Sequence, residues 1–321
     1  MVKYVFKRIL LMLVALFCIT TICFMLIRML PMTPPEGSTE AQQKVIRDIW
    51  DARGYNKPLI EQYGIYIKGI ITKFDFGTSW KIKSTYPAWE VLSSKLLPTV
   101  LVNLYSLLFS LPLGIAFGIY AAIKKNKWQD HAISTGVMIF VSVPSYVYAF
   151  LVQYLLYFKL DWFPARISSL ADAGGSWFSW TMLHSMVPAI LALSFGQIAG
   201  LCRFTRAELT ETLTSDYMLL ARTKGLTRSQ ATVRHALKNA MVPILPSILG
   251  SFIGILGGSM IIEQIFAIPG VGQLYVKSIE QLDYDVFMMD SIFYTFISLA
   301  AGIVVDISYG FIDPRIRMGE R

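Results

Sequence analysis

The chain has 321 residues, of which 55% are hydrophobic, 13% aromatic and only 16% charged. Soluble domains carry about a quarter charged residues, so this composition argues against an ordinary globular enzyme and points to a lipid environment. The formal net charge is +8, and its placement along the chain marks membrane topology rather than a nucleic-acid partner.

Six stretches, 9–27, 96–123, 132–158, 176–202, 239–262 and 291–312, contain no Asp, Glu, Lys or Arg except Asp306 in the last. Each is near or above the roughly 20 residues that cross about 30 Å of hydrocarbon as a helix. Only a helix satisfies every backbone N–H and C=O within one such segment. The expectation is an all-α, polytopic membrane protein with six transmembrane helices.

In chain order, 1–30 is an N-terminal transmembrane helix. Its uncharged run exceeds the roughly 7–15 residue core of a cleaved signal peptide, and Arg28-Met29-Leu30-Pro31 follows where a small-residue cleavage site would stand. Residues 31–95 form a long loop whose prolines and polar residues stop the first helix. Within it, Val45, Ile49 and Ala52 recur at helical spacing, Gly54 stops that helix, and Pro58 begins another carrying Ile60, Tyr63, Tyr66, Ile67 and Ile70. Residues 96–312 form a five-helix core and 313–321 a short tail.

Six spans put both termini on one side. That side holds Lys3, Lys7, Arg8, the lysines at 124, 125 and 127, the connection 203–240, and Arg315, Arg317 and Arg321, whereas the short opposite loops carry only Lys159, Arg166 and Lys277. Basic residues concentrate in cytoplasmic loops, so both termini are expected in the cytoplasm. Cys18, Cys23 and Cys202 have no spacing that builds a disulfide or metal framework, and are read as small apolar residues.

Small residues recur every fourth position at Gly114, Gly118 and Ala122, and again at Gly250, Gly254 and Gly258. Helices in lipid associate through such close-approach faces, and both series are read as helix packing. Pro98, Pro112, Pro144 and Pro188 lie in or near spans and imply kinks or breaks. Asn103, Gln153, Gln197 and Glu263 are costly in or beside a span and are candidates for a polar pathway, against the plainer reading of interhelical hydrogen bonds. Asp306 is expected to pair with Arg315 or Arg317.

No catalytic constellation is present. His131, His184 and His235 lie in different segments, no G-x-S-x-G or H-E-x-x-H occurs, and no metal-ligand spacing is found. The G-x-x-x-x-G-K-[ST] phosphate cradle is also missing. An ion-driven secondary transporter is the alternative class. It would need intramembrane carboxylate relays, and the spans as drawn contain only Asp306.

The connection 203–238 carries seven basic and three acidic residues. A first helical stretch through Tyr217, Leu220, Ala221 and Lys224 ends at Gly225. Thr227-Arg228-Ser229-Gln230 then matches a capping box, in which two side chains satisfy orphan N–H groups at a helix start. Ala231, Arg234 and Lys238 fall on one side and Val233, Leu237 and Met241 form an apolar line on another. Such an elbow suits either an anionic lipid surface or a cytoplasmic protein.

The run YMLLARTKGLTRSQATVRHALKNAMVPILP resembles the cytoplasmic loop of permease subunits of ABC importers in the oligopeptide, dipeptide and nickel branch. The resemblance extends almost end to end. MVKYVFKRILLMLV is similar to their N-terminal span, GYNKPLIEQYGIYIKGIITKFDFGTSW to their outer loop, EQIFAIPGVGQLYVKSI followed by DYD to their last outer loop, and DPRIR to their C-terminus. The long first outer loop resembles the first of the two permeases that such systems pair. The resemblance implies the type I importer permease fold, a bacterial plasma-membrane location and half of a pathway for di- or oligopeptides.

It also implies the partners: a second homologous permease, two cytoplasmic ATPase subunits that bind ATP and Mg, an extracytoplasmic substrate-binding protein and membrane lipid, with no cofactor in this chain. Ala221, Lys224, Gly225, Thr227, Arg228, Gln230, Arg234 and His235 would then couple it to the ATPase. Three departures stand out. The family's E-A-A triplet is Leu219-Leu220-Ala221 here, Ile244-Leu245-Pro246 lies further along than the family's isoleucine–leucine–proline run, and Asp283-Tyr284-Asp285 replaces aspartate–tyrosine–proline.

Overall fold

The computed structural model describes residues 2–30, 35, 37 and 39–312. The described residues are built from helices α1 (Val2–Arg28), α2 (Glu40–Ala52), α3 (Leu59–Lys73), α4 (Ala88–Ile123), α5 (Trp128–Ser142), α6 (Ser145–Gln153), α7 (Trp180–Leu213), α8 (Asp216–Thr223), α9 (Arg228–Ala231), α10 (Leu237–Gly254), α11 (Met260–Ile265), α12 (Val271–Glu280) and α13 (Tyr284–Ile312). Five helical stretches are long and apolar enough to cross a membrane, and the bent pair α5–α6 brings the number to six if it counts as one span.

That bend corrects the simple reading of 132–158 as one helix. The chain turns by 100° between Ser142 and Ser145, because Pro144 has no N–H to continue the ladder and restricts Val143 to extended geometry (φ −88°, ψ 130°). Tyr148 spans the corner, donating its hydroxyl to the Phe140 carbonyl. Pro98, Pro112 and Pro188 instead sit inside the unbroken helices α4 and α7.

α4 and α7 are the spine. At 36 and 34 residues, a rise of 1.5 Å per residue makes each about 50 Å long, well beyond the hydrocarbon layer. Gly114 and Gly118 let the two backbones close up. A Cβ at Gly114 would come within 2.7 Å of Leu201, and one at Gly118 within 2.6 Å of Thr205. Ala122 continues this face against Leu209. Ser106 and Ser194 hydroxyls meet at 3.1 Å across the same seam.

The second small-residue series does not form such a face. α10 ends at Gly254, a short 3₁₀ turn covers Ile255–Gly257, and Gly258 adopts a left-handed φ of +62°. Gly250 meets Val305 of α13, but a Cβ at Gly254 would touch nothing within 4 Å. The period-four pattern therefore crosses a helix end, and only Gly250 packs as expected of the series.

The protruding ends of α4 and α7 organise two layers, called here the loop end and the elbow end. At the loop end, Ala88, Val91 and Leu92 of α4 pack with Phe76, Val271, Leu274, Val286 and Met289. α2 and α3 follow the sequence expectation closely, with Thr39 capping α2 through Gln42 N–H. At the elbow end, Leu209 of α7 packs with Met218, Ala221, Ala231, Ala236 and Ala240. α1 lies apart, contacting α13 and α3, and leaves Leu10, Leu11, Leu13, Val14 and Phe17 exposed for lipid. Cys18 lies on that exposed face, whereas Cys202 is buried.

Candidate functional site: a polar cavity and a basic elbow

A cavity of about 350 Å³ opens between α4, α7 and α10, lined by Asn103, Leu107, Gln197, Leu201, Phe204, Ser247, Ser251, Ile255 and three glycines, Gly196, Gly200 and Gly254. Its polar character comes from groups the helices hold in place. Gln197 Oε1 accepts from Ser110 Oγ at 2.7 Å, and Asn103 Nδ2 donates to the Thr99 carbonyl at 2.8 Å. Gly196 and Gly200 have open space where a side chain would stand, so the α7 backbone itself forms part of the wall. The cavity thus sets amide and hydroxyl groups beside apolar side chains between three long helices.

The four candidate pathway residues therefore separate. Asn103 and Gln197 line the cavity; Gln153 and Glu263 do not. Gln153 Nε2 donates to the Ala165 carbonyl at 2.7 Å and ties α6 to the loop that follows. Glu263 is only 2% exposed. It accepts from Thr99 Oγ1 and from Gln273 N–H, both at 2.9 Å, while a Cβ at Gly258 would come 2.5 Å from its Oε1. Those donors and glycines make Glu263 a pin for the α11–α12 turn.

At the elbow end, α8 terminates in a glycine-type cap. Gly225 takes φ +92°, its N–H bonds to Arg222 O, and Leu226 N–H reaches back to Ala221 O. The capping box then forms in full: Thr227 Oγ1 accepts from Gln230 N–H at 3.3 Å and Gln230 Oε1 from Thr227 N–H at 3.1 Å. The helix it starts is not separate. α9 runs through a π-helical turn, Thr232–Ala236, directly into α10, so the elbow and the cavity-lining Ser247 and Ser251 lie on one continuous helical stretch.

The expected apolar line of the elbow is also reassigned. Ala231, Ala236 and Ala240 are fully buried, whereas Val233 is 63% exposed. The π turn adds a residue to the helical cycle and rotates Val233 outward beside Arg234 and His235, which are exposed too. On α8, Met218 and Ala221 anchor the helix while Leu219 and Leu220 are 64% and 55% exposed. Lys224, Gly225, Thr227, Arg228 and Gln230 are all exposed. The elbow thus exposes Leu219, Leu220 and Val233 together with basic side chains, and is seated on small alanines.

A third feature carried no signal beyond a noted departure. Asp283 and Asp285 fasten the loop-end layer to α13. Asp283 accepts from Ser79 Oγ at 2.7 Å and from the N–H groups of Trp80, Lys81 and Ile82. Asp285 accepts from Arg28 Nη2 at 3.0 Å, Thr78 N–H at 2.9 Å and the Tyr55 hydroxyl. Burial, and then Asp285, push the Tyr55 phenol above its ordinary range, so it stays a donor. Asp306 pairs with Arg8 at 3.0 Å; its expected partners Arg315 and Arg317 lie outside the described residues. Asp290, fully buried one residue before the span drawn from sequence, has no hydrogen-bond partner for either oxygen among the described residues.

Comparison with known proteins then places the whole chain. Residues 114–318 match the model of the binding-protein-dependent transport system inner membrane component, and residues 1–89 match the N-terminal model of such a membrane component. The dipeptide transport system permease protein DppB of Bacillus subtilis is 34% identical over 325 residues, covering 100% of both chains. The oligopeptide transport system permease protein OppB of Haemophilus influenzae is 31% identical, covering 99% of this chain and 100% of its own. The glutathione transport system permease protein GsiC of Escherichia coli is 32% identical over 99% of each.

Proposed function

This chain belongs to the family of binding-protein-dependent transport system inner membrane components, and from that premise we propose that it forms half of a translocation pathway for short peptides. It is a multi-pass inner-membrane transport protein and not a member of a catalytic family. The peptide assignment rests on its relatives, which are transport-system permeases for dipeptides, oligopeptides and glutathione. The cavity beside Gln197 would form half of a conduit, and a second, homologous permease would supply the facing wall.

The observation that carries the mechanism is the elbow. Leu219, Leu220 and Val233 are exposed on a segment that also exposes basic side chains, next to a rod that runs into the cavity wall. An ATP-hydrolysing subunit, two copies per transporter, would dock there on the cytoplasmic side and hold the ATP and Mg that this chain has no cradle for. Both termini would share that side. Closure of the ATPase pair favours one conformation of the permease pair, and a loaded extracytoplasmic binding protein favours the same one. Differential affinity for the two states is what converts hydrolysis into movement.

The test is cross-linking in native membranes from Leu219→Cys and Val233→Cys. Capture of a nucleotide-hydrolysing protein at both positions is expected. Capture of lipid alone would replace this reading with a membrane-surface elbow. The purified chain alone is expected to hydrolyse no ATP, and turnover without partners would contradict the proposal.

A further inference from the structure

A second cavity, of about 570 Å³, lies in the loop-end layer, walled by α2, α3, the 75–77 turn, Arg28 and Asp285. Most of its charges neutralise one another. Arg28 is bound to Asp285 at 3.0 Å, and Arg53 to Asp75 at 2.9 Å and to Thr78 Oγ1 at 2.8 Å. Among the described residues, three lining charges are in no ion pair: Asp48 on α2, and Lys68 and Lys73 on α3. They leave one anionic and two cationic side chains around one opening.

Tyr66 is the second observation. It also lines the cavity, is 7% exposed, and its hydroxyl has no hydrogen-bond partner among the described residues. Burial, and then Asp285, push its phenol far above the ordinary range, so it offers a proton at every physiological pH. An unmade hydrogen bond on a buried hydroxyl is costly, and it marks a place where a ligand atom would be welcomed.

We propose that this cavity binds a small zwitterion, with the ammonium toward Asp48 and the anionic group toward Lys68, Lys73 and the Tyr66 hydroxyl. A simple anion would leave Asp48 opposed to it, and a simple cation would face two lysines; a molecule carrying both charges satisfies all three. Two sources share that chemistry: a free amino acid or dipeptide, and an ethanolamine phospholipid headgroup from the adjacent leaflet. The site goes beyond the translocation reading, because it shares no residue with the cavity beside Gln197.

The full chain in phosphatidylglycerol nanodiscs, which contain no ammonium group, is titrated with alanyl-alanine by calorimetry. A parallel sample is doped with phosphatidylethanolamine and examined by native mass spectrometry. Binding in either arm is expected, and the arm in which it occurs names the source. Blocking either terminus of the dipeptide should weaken binding at least tenfold, as should the exposed substitutions Asp48→Lys and Lys68→Glu/Lys73→Glu. Tyr66→Phe should weaken it severalfold with an unchanged thermal midpoint. No binding in either arm, or binding indifferent to these variants, overturns the proposal. Peptide uptake measured on the wild-type assembled transporter reports separately on the translocation reading.

Discussion

Arg28 Nη2 lies 3.0 Å from Asp285 Oδ1, joining the last residue of α1 to the first turn of α13 across 257 positions of sequence. Their side chains are only 8% and 1% exposed. The Arg28 guanidinium also lies over the Tyr55 ring, 4.3 Å from its centroid, and Tyr55 closes the circuit onto Asp285. Together with Phe24 and Ile27, which pack against Tyr66 and Met288, this knot ties the end of the N-terminal helix to the loop-end layer.

Removing one partner of that pair leaves a buried charge uncompensated. Arg28→Met or Asp285→Asn is expected to cost about 3–5 kcal/mol, whereas the double variant should cost less than the sum. Limited proteolysis of the 39–80 segment and thermal unfolding in nanodiscs measure both. Additive losses would show that the two residues act independently.

Gly225 has a positive φ with open space around it, so conformation and charge, not crowding, restrict the position. Gly225→Asp places in left-handed geometry a side chain that tolerates it about as well as Asn does, and adds an anion to a cationic elbow. Uptake is expected to stop while membrane abundance stays normal. Gly225→Asn, whose side chain tolerates this geometry without a charge, should keep most uptake. Normal transport by the aspartate variant would remove the elbow from the coupling path.

These features differ in how far the sequence disclosed them. Span locations and the capping box were legible because hydropathy and N-terminal capping are local. The break at Pro144 was legible as a proline but not as a corner, since α4 and α7 carry proline without breaking. The π turn at 232–236 has no composition signature, and Val233 lies within it, facing outward. Asp283 and Asp285 read only as a departure from the family's aspartate–tyrosine–proline, because their partners, Ser79 and Arg28, lie more than two hundred residues away. Gln153 and Gln197 are alike as letters in apolar runs, and only tertiary position separates clamp from lining.

The α4–α7 seam and the end of α10 give opposite expectations for glycine. Gly118→Val would push a branched side chain into Thr205 and the Cys202 carbonyl; overpacking of this kind costs about 1–3 kcal/mol or more where backbone is the obstacle. Its abundance in the membrane should fall sharply. Gly254→Ala meets nothing and should accumulate normally, with any loss confined to uptake. Quantitative blotting against uptake per folded molecule separates the two.

At the elbow end, Arg206 grips Asp130 with both nitrogens, Nε at 2.5 Å and Nη2 at 2.7 Å, while Asn126 N–H and Ser134 Oγ complete the carboxylate's shell. The planar fork is what matches two oxygens at once, so Arg206→Lys should behave nearly as badly as Arg206→Met. The expected result is faster hydrogen exchange over 124–135 in both variants, with α7 unchanged. Full protection in the lysine variant would show that a point charge suffices.

The two glutamines provide the sharpest contrast between lining and structure. In Gln197→Leu, Ser110 keeps its bond to the Leu107 carbonyl, so no buried hydroxyl is stranded and folding should be unaffected. The cavity wall, however, loses a polar group where a peptide's amides would need one, and uptake per folded molecule should fall several-fold. In Gln153→Leu, the Ala165 carbonyl loses its donor, which costs about 1–3 kcal/mol if it stays buried, and abundance should fall while uptake per folded molecule holds. Because both replacements trade the same amide for the same apolar side chain, any difference in outcome comes from position. If both variants lost stability alike and transported alike, the cavity between α4, α7 and α10 would be packing space and the conduit would have to be sought elsewhere in the bundle.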